Sequence, residues 1–195
     1  TSLKHSKNDS WDDSKTIEMV NKLSDEHAIL KQNLLFTGLE SIRYNLNRKQ
    51  KNLKFFEFDK VYNQGNDNKF IETKKLGLYM TGLNKDEHFY SNSEEVSFID
   101  IKNIINKILI LGNINNHKVK ELESKSLFNC IEIIQDKKVI CKIGEVKQSL
   151  LKTFDIVQKL YYAEILWENY LTCLKEEFLF TKISKFPEVK RDLSI

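Results

Sequence analysis

The sequence predicts an α+β fold with a mostly antiparallel sheet flanked by helices. Three observations carry this expectation. Two segments place apolar residues at helical spacing, and Phe- and Ile-rich runs alternate between short polar turns. There is also no regular strand–helix–strand winding. The 195 residues suffice for one ordinary domain, and 41% hydrophobic with 30% charged residues permits a sizeable core. No fixed-period repeat occurs, and no run of about 18 apolar residues predicts a membrane span.

Residues 1–20 are polar and charged, and Asn8-Asp9-Ser10 marks a turn. The start, Thr1-Ser2-Leu3-Lys4-His5, has neither an apolar leader nor a Met. It reads as a piece cut from a longer protein rather than a signal peptide. Leu35, Leu39, Ile42 and Leu46 share one face of a helix predicted over residues 33–47. Lys51-Asn52 breaks that pattern, and residues 53–62 follow as a Phe-rich strand. Residues 63–69, with Gly65 among Asn and Asp, form a hairpin-type loop. A strand is predicted over 76–81 and a polar loop over 84–95. Phe98, Ile101, Ile105 and Ile108 set a second helix over 98–111, with Gly112 as its stop. Strands over 128–134 and 139–143 flank a short turn at Asp136-Lys137. A short helix over 148–154, a strand over 160–167 and helical turns over 168–176 complete the pattern.

The charge balance of 31 basic against 28 acidic residues leaves only +3, too little for a broad positive field. Nearly all the bases are lysine. Arginine, whose rigid fork grips phosphate, occurs only at Arg43, Arg48 and Arg191. Cys130, Cys141 and Cys173 lie in apolar stretches without CxxC spacing and predict buried, reduced thiols in a cytosolic protein. Neither GxxxxGK[ST] nor GxGxxG is present to cradle phosphates. His5, His27, His88 and His117 are scattered, with no metal-ligand spacing, and Asp86-Glu87-His88 reads as exposed loop. No GxSxG elbow occurs. The neighbouring carboxylates Asp12-Asp13, Glu94-Glu95 and Glu176-Glu177 read as solvated charge. Phe55-Phe56-Glu57-Phe58 reads as a half-buried strand, since no basic stripe interleaves it as a base-stacking platform requires. Chemistry read from residues alone stops at a soluble α+β domain with no visible active site.

Several segments in order resemble the β chain of bacterial-type phenylalanyl-tRNA synthetase. Asn21-Lys22-Leu23-Ser24, Leu30-Lys31-Gln32-Asn33-Leu34-Leu35 and Gly38-Leu39 are similar to that family's NPLSxxLxxMRxxLLxGLL. Tyr44-Asn45-Leu46-Asn47-Arg48 is similar to its asparagine- and arginine-bearing helix end, and residues 53–62 to its LxLFEIGxVF strand. Phe98-Ile99-Asp100-Ile101-Lys102 resembles FFDLKG, and Ile143-Gly144-Glu145-Val146 resembles IGELHP. Ile183-Ser184-Lys185-Phe186-Pro187, running on to Arg191-Asp192-Leu193, looks like the entry to a ferredoxin-like anticodon-binding domain. Departures stand at Lys22 for proline, Lys31 for arginine, Asp59 for glycine, and Val146-Lys147 for LHP.

The resemblance implies a class II aminoacyl-tRNA synthetase core over 21–182 that is a non-catalytic copy. A polar segment over 1–20 precedes it, and a truncated start of the anticodon-binding domain follows over 183–195. It also implies a cytoplasmic heterotetramer of two α and two β chains acting on tRNA(Phe). ATP, phenylalanine and Mg2+ would be used by the whole enzyme, with no cofactor and no catalytic residue in this stretch. Class II catalysis uses a strand arginine on the α-phosphate and a GxGxGxxR-type segment. Arg43 and Arg48 instead fall on a predicted helix and at its end. The expected role is a scaffold packed on the α chain, through Leu35, Leu39, Ile42, Leu46, Asn47 and Arg48. The same stripe could instead cover the chain's own sheet. Two alternatives differ in class: a catalytically active class II ligase, which lacks its arginines here, and a free-standing RNA-binding α+β domain.

Overall fold

A computed structural model describes residues 16–18, 29–65, 69–85 and 93–174. A six-stranded antiparallel sheet in the order β1-β2-β8-β7-β6-β5 forms the centre. Its members are β1 (Leu53–Gln64), β2 (Phe70–Thr81), β5 (Lys118–Glu121), β6 (Leu127–Gln135), β7 (Lys138–Val146) and β8 (Leu160–Leu166). A minor pair, β3 (Leu83–Lys85) and β4 (Glu94–Glu95), leads into helix α2 (Phe98–Leu111). Helices α1 (Leu35–Leu46) and α3 (Gln148–Thr153) cover one face of the sheet, and α2 and α4 (Trp167–Thr172) the other.

Each face has its own core. Phe36, Leu39 and Ile42 of α1 meet Leu53, Tyr79, Leu160 and Tyr162 of the strands, with Leu150 and Leu151 of α3 beside them. On the opposite face Ile101, Ile105 and Leu109 of α2 meet Met80, Cys141, Ile143, Ala163 and Ile165. Each large side chain taken fully from water stabilises the fold by about 1.5–3 kcal/mol, so the two apolar faces together fix the three-layer arrangement. The three thiols are free and buried, as their apolar surroundings predict. Burial pushes the Cys141 thiol well above its ordinary range.

The elements follow local chemistry. The Asp100 carboxylate accepts the Ser97 backbone N–H at 2.8 Å and the Ser97 hydroxyl at 2.6 Å, which fixes the start of α2. Asp136 and Lys137 both adopt positive φ, 49° and 64°, between paired Gln135 and Lys138. That is the two-residue turn whose twist suits a hairpin. The expected strand over 76–81 is the inner half of a longer one. Residues 70–74 pair with β1 alone, project past β8, and so carry the polar sequence Phe-Ile-Glu-Thr-Lys. Strand β5 went unpredicted because Lys-Val-Lys-Glu at a sheet edge has no buried side to show in its pattern. The expected segments 1–20 and 183–195 lie outside the described residues, apart from 16–18, as do the histidines other than His117.

Helix α1 lies close to the sheet at Gly38. A Cβ there would stand 2.1 Å from Cε1 of Tyr79. The Tyr79 hydroxyl donates to the Leu34 carbonyl at 2.5 Å, and its ring packs 5.1 Å from that of Tyr162, so it has little room to yield. In an ordinary helix Gly→Ala stabilises by about 1 kcal/mol. Here Gly38→Ala is expected to destabilise by about 2 kcal/mol through overpacking, read as a lower urea midpoint at unchanged m-value.

Candidate functional site

Beyond the apolar patch under α1, the same sheet face turns polar. Successive strand partners place Glu57, Gly77, Glu164, Lys142, Glu132 and Lys120 in one row across all six strands. Directly opposed residues in an antiparallel ladder share a face, so this is a line of charges lying on the sheet beside Tyr79 and Tyr162. Gly77 interrupts the line because a Cβ there would stand 2.9 Å from the Tyr79 hydroxyl oxygen.

Lysines answer each carboxylate of the row. Lys75 Nζ lies 2.9 Å from Glu164 Oε2, and the Tyr162 hydroxyl donates to Glu164 Oε1 at 2.9 Å. Lys142 pairs with Glu132 at 3.2 Å. Lys31 donates to Glu57 at 2.9 Å and to Asp59, while the Thr37 hydroxyl also donates to Glu57 at 2.9 Å. Burial alone would lower the Lys31 ammonium, but hydrogen bonds to Asp59 and Glu57 outweigh it and hold that group above its ordinary value. Burial likewise opposes the Asp59 carboxylate, yet the Lys31 ammonium and the Lys60 backbone N–H hold it below its usual range. Tyr79 and Tyr162 are pushed far above an ordinary phenol, first by burial and then by the neighbouring carboxylates. Both hydroxyls therefore act as fixed donors. A hollow of about 350 Å³ opens between α1 and β1, lined by Gly38, Ser41, Phe55, Glu57 and Tyr79.

The residues expected to form a packing face are divided by the structure. Leu35, Leu39 and Ile42 are at most 5% exposed and lie in the chain's own core, with Leu46 packed against it. The stripe thus covers the sheet, because the apolar rows of β1, β2 and β8 are its nearest partner. Asn47 and Arg48 are exposed, as are Ser41, Arg43 and Tyr44. Any partner meeting this helix would use that outer side. Arg43 and Arg48 stand on α1 and just past it, and no arginine stands on a strand among the described residues; Arg191 lies outside them. The charge row was missed from sequence because it exists only once register is known. Its trace there is a single charge inside each apolar run, as in Phe-Phe-Glu-Phe, Tyr-Ala-Glu-Ile and Ile-Cys-Lys-Ile.

An antiparallel sheet of this order, helix-covered on both faces, defines the class II aminoacyl-tRNA synthetase core. A pyrrolysyl tRNA synthetase structure from Desulfitobacterium hafniense superimposes with a TM-score of 0.60 at 13% identity, covering 82% of this chain and 53% of that one. The sequence narrows the class further. Residues 2–167 match the model of the phenylalanyl tRNA synthetase beta chain CLM domain, and the chain belongs to that family. It is 34% identical over 191 residues to the phenylalanine–tRNA ligase beta subunit of Bacteroides thetaiotaomicron, covering 92% of this chain and 23% of that protein. It is 33% identical over 186 residues to the Fusobacterium nucleatum beta subunit, with the same two coverages. The chain thus spans about a quarter of the length of these curated relatives.

Two outcomes test the row. Lys75→Met strands the Glu164 carboxylate, whose side chain is 12% exposed, and should cost about 3 kcal/mol in urea unfolding. Adding Glu164→Gln keeps an acceptor for Tyr162 and should recover at least half of that loss. For Asp59, a depressed carboxyl stabilises the fold above its ordinary value near 3.8 and loses that contribution as pH falls through the depressed value. Asp59→Asn should therefore lower the thermal midpoint at about pH 7 and leave it unchanged at about pH 2.

Proposed function

We propose that this chain is the class II core-like module of a phenylalanine–tRNA ligase β subunit, packed on the catalytic α subunit. It serves as scaffold in an assembly of two α and two β chains that charges tRNA(Phe) in the cytoplasm. In this reading ATP, Mg2+ and phenylalanine are handled at the α site. One observation carries the assignment: the polar half of the sheet face is filled by the chain's own lysine–carboxylate pairs. An ATP α-phosphate in transfer needs a free, fork-shaped cation aimed at it. Here Lys31, Lys75 and Lys142 each hold a carboxylate, so the side chains on this face do not fit the nucleotide. No helix among the described residues is long and apolar enough to cross a membrane. The division into a core over 21–182 and the beginning of a following domain at 183 is part of the same proposal.

The test is co-expression with the matching α chain, scored as complex mass by light scattering, followed by ATP–pyrophosphate exchange. A stable complex that exchanges, with an isolated chain that does not exchange above a mock preparation, is the expected result. Exchange by the isolated chain would defeat the scaffold assignment. Failure of the full-length β chain to join α would defeat the partnership.

A further inference from the structure

Positive charge is unevenly placed on this molecule. Between Ser41 and Phe56 stand Arg43, Arg48, Lys49, Lys51 and Lys54 without a single carboxylate, although the whole chain carries only +3. All five side chains are exposed where α1 ends and the turn enters β1. On the sheet, Lys31, Lys60, Lys75 and Lys142 each hold a carboxylate. In this group the polar partners are neutral: Arg48 donates to the Tyr44 carbonyl at 3.1 Å, and Lys54 to the Asn84 side chain at 2.6 Å. A second segment adds to the group. The Gln158 amide donates to the Lys51 carbonyl at 2.9 Å and to the Thr81 hydroxyl at 2.6 Å, which brings exposed Lys159 alongside.

The helix dipole attracts cations to a C-terminal turn, which accounts for Arg43 and Arg48 but not for the lysines beyond. Lys49 sits at φ 65°, with its N–H on the Leu46 carbonyl and the Gln50 N–H on the Asn45 carbonyl. Glycine normally takes that left-handed position after a helix, so the chain keeps a cation there against backbone preference. The Arg48 guanidinium lies 3.3 Å from the centroid of the Tyr44 ring, and that ring is 56% exposed. A flat cation and an aromatic face are thus offered to solvent together.

We propose that this end of α1 binds the phosphate backbone of RNA. Arg43, Arg48, Lys49, Lys51 and Lys54 neutralise phosphates, and the Tyr44–Arg48 stack meets an unpaired base. The inference rests on the ligase reading above and gives that module a direct contact with the nucleic acid. An acidic protein surface would match the charge but leave the exposed stack without a use.

The experiment takes the assembled α and β chains and an unmodified tRNA(Phe) transcript, with binding followed by fluorescence anisotropy between about 50 and 200 mM salt. Arg43→Gln with Lys51→Gln should weaken binding about tenfold. It should also flatten the plot of log K against log salt by about one per phosphate contact removed. Lys49→Gly alone should weaken binding while the thermal midpoint holds or rises, since glycine relieves the left-handed strain. A merely structural lysine would give no such split. Unchanged affinity and salt slope in an intact assembly would overturn the proposal. Loss of assembly in the charge variants would also overturn it and assign the patch to an acidic protein surface. A wild-type assembly that binds no tRNA would sink the ligase reading itself, an outcome distinct from both.

Discussion

The structure depends on one geometric constraint: a six-stranded face is wider than the helices that cover it. Helix α1 is 12 residues and α3 only 6, and together they shelter the rows around Leu53, Tyr79, Leu160 and Val146. The next row, beginning at Glu57, must live half in water. Isolated charges there would be costly to desolvate and apolar side chains would be left exposed. Lysine–carboxylate pairs across neighbouring strands resolve both problems. Tyr79 marks the boundary, with its ring in the core and its hydroxyl on the Leu34 carbonyl at the start of α1.

The opposite face meets the same constraint differently. Helix α2 presents Ile101, Ile105 and Leu109 to the central strands, and α4 follows β8 without an intervening loop. Coverage ends before the edge strand, so Phe56 and Phe58 of β1 stay exposed at 74% and 50%. The Phe58 ring meets Trp167 edge-on at 4.9 Å, which extends α4's reach toward that edge. The Phe-rich run is thus a half-buried strand rather than a stacking platform.

What the sequence made legible was whatever one element decides by itself. Helix α2 announces itself by its stripe, by Ser97 and Asp100 at its start and by Gly112 at its end. The β6–β7 hairpin is readable from Asp136-Lys137 between alternating strands. What depends on a neighbour was hidden. The stripe of α1 says that one side is apolar but not whether the chain's own sheet or another subunit will meet it. The outer half of β2 looks like loop because its polar residues pair only with β1. The charge row is the extreme case, drawn from six separate strands, and no window of sequence contains it.

This division between what packs and what pairs explains how the architecture tolerates so different a site. The apolar rows on both faces set strand order and helix placement, and they can be satisfied by many Leu, Ile and Phe combinations of similar volume. The charged row adds little net stability, because the cost of desolvating each ion nearly cancels its attraction to its partner. It can therefore be rewritten without unmaking the fold. A row with free, fork-shaped cations would hold an anionic ligand, whereas lysines already bound to Glu57, Glu164 and Glu132 close the same ground with internal pairs. A few substitutions on β1, β2, β7 and β8 suffice to pass from one condition to the other, so an architecture of this kind can be kept for assembly after its chemistry has moved to a partner chain.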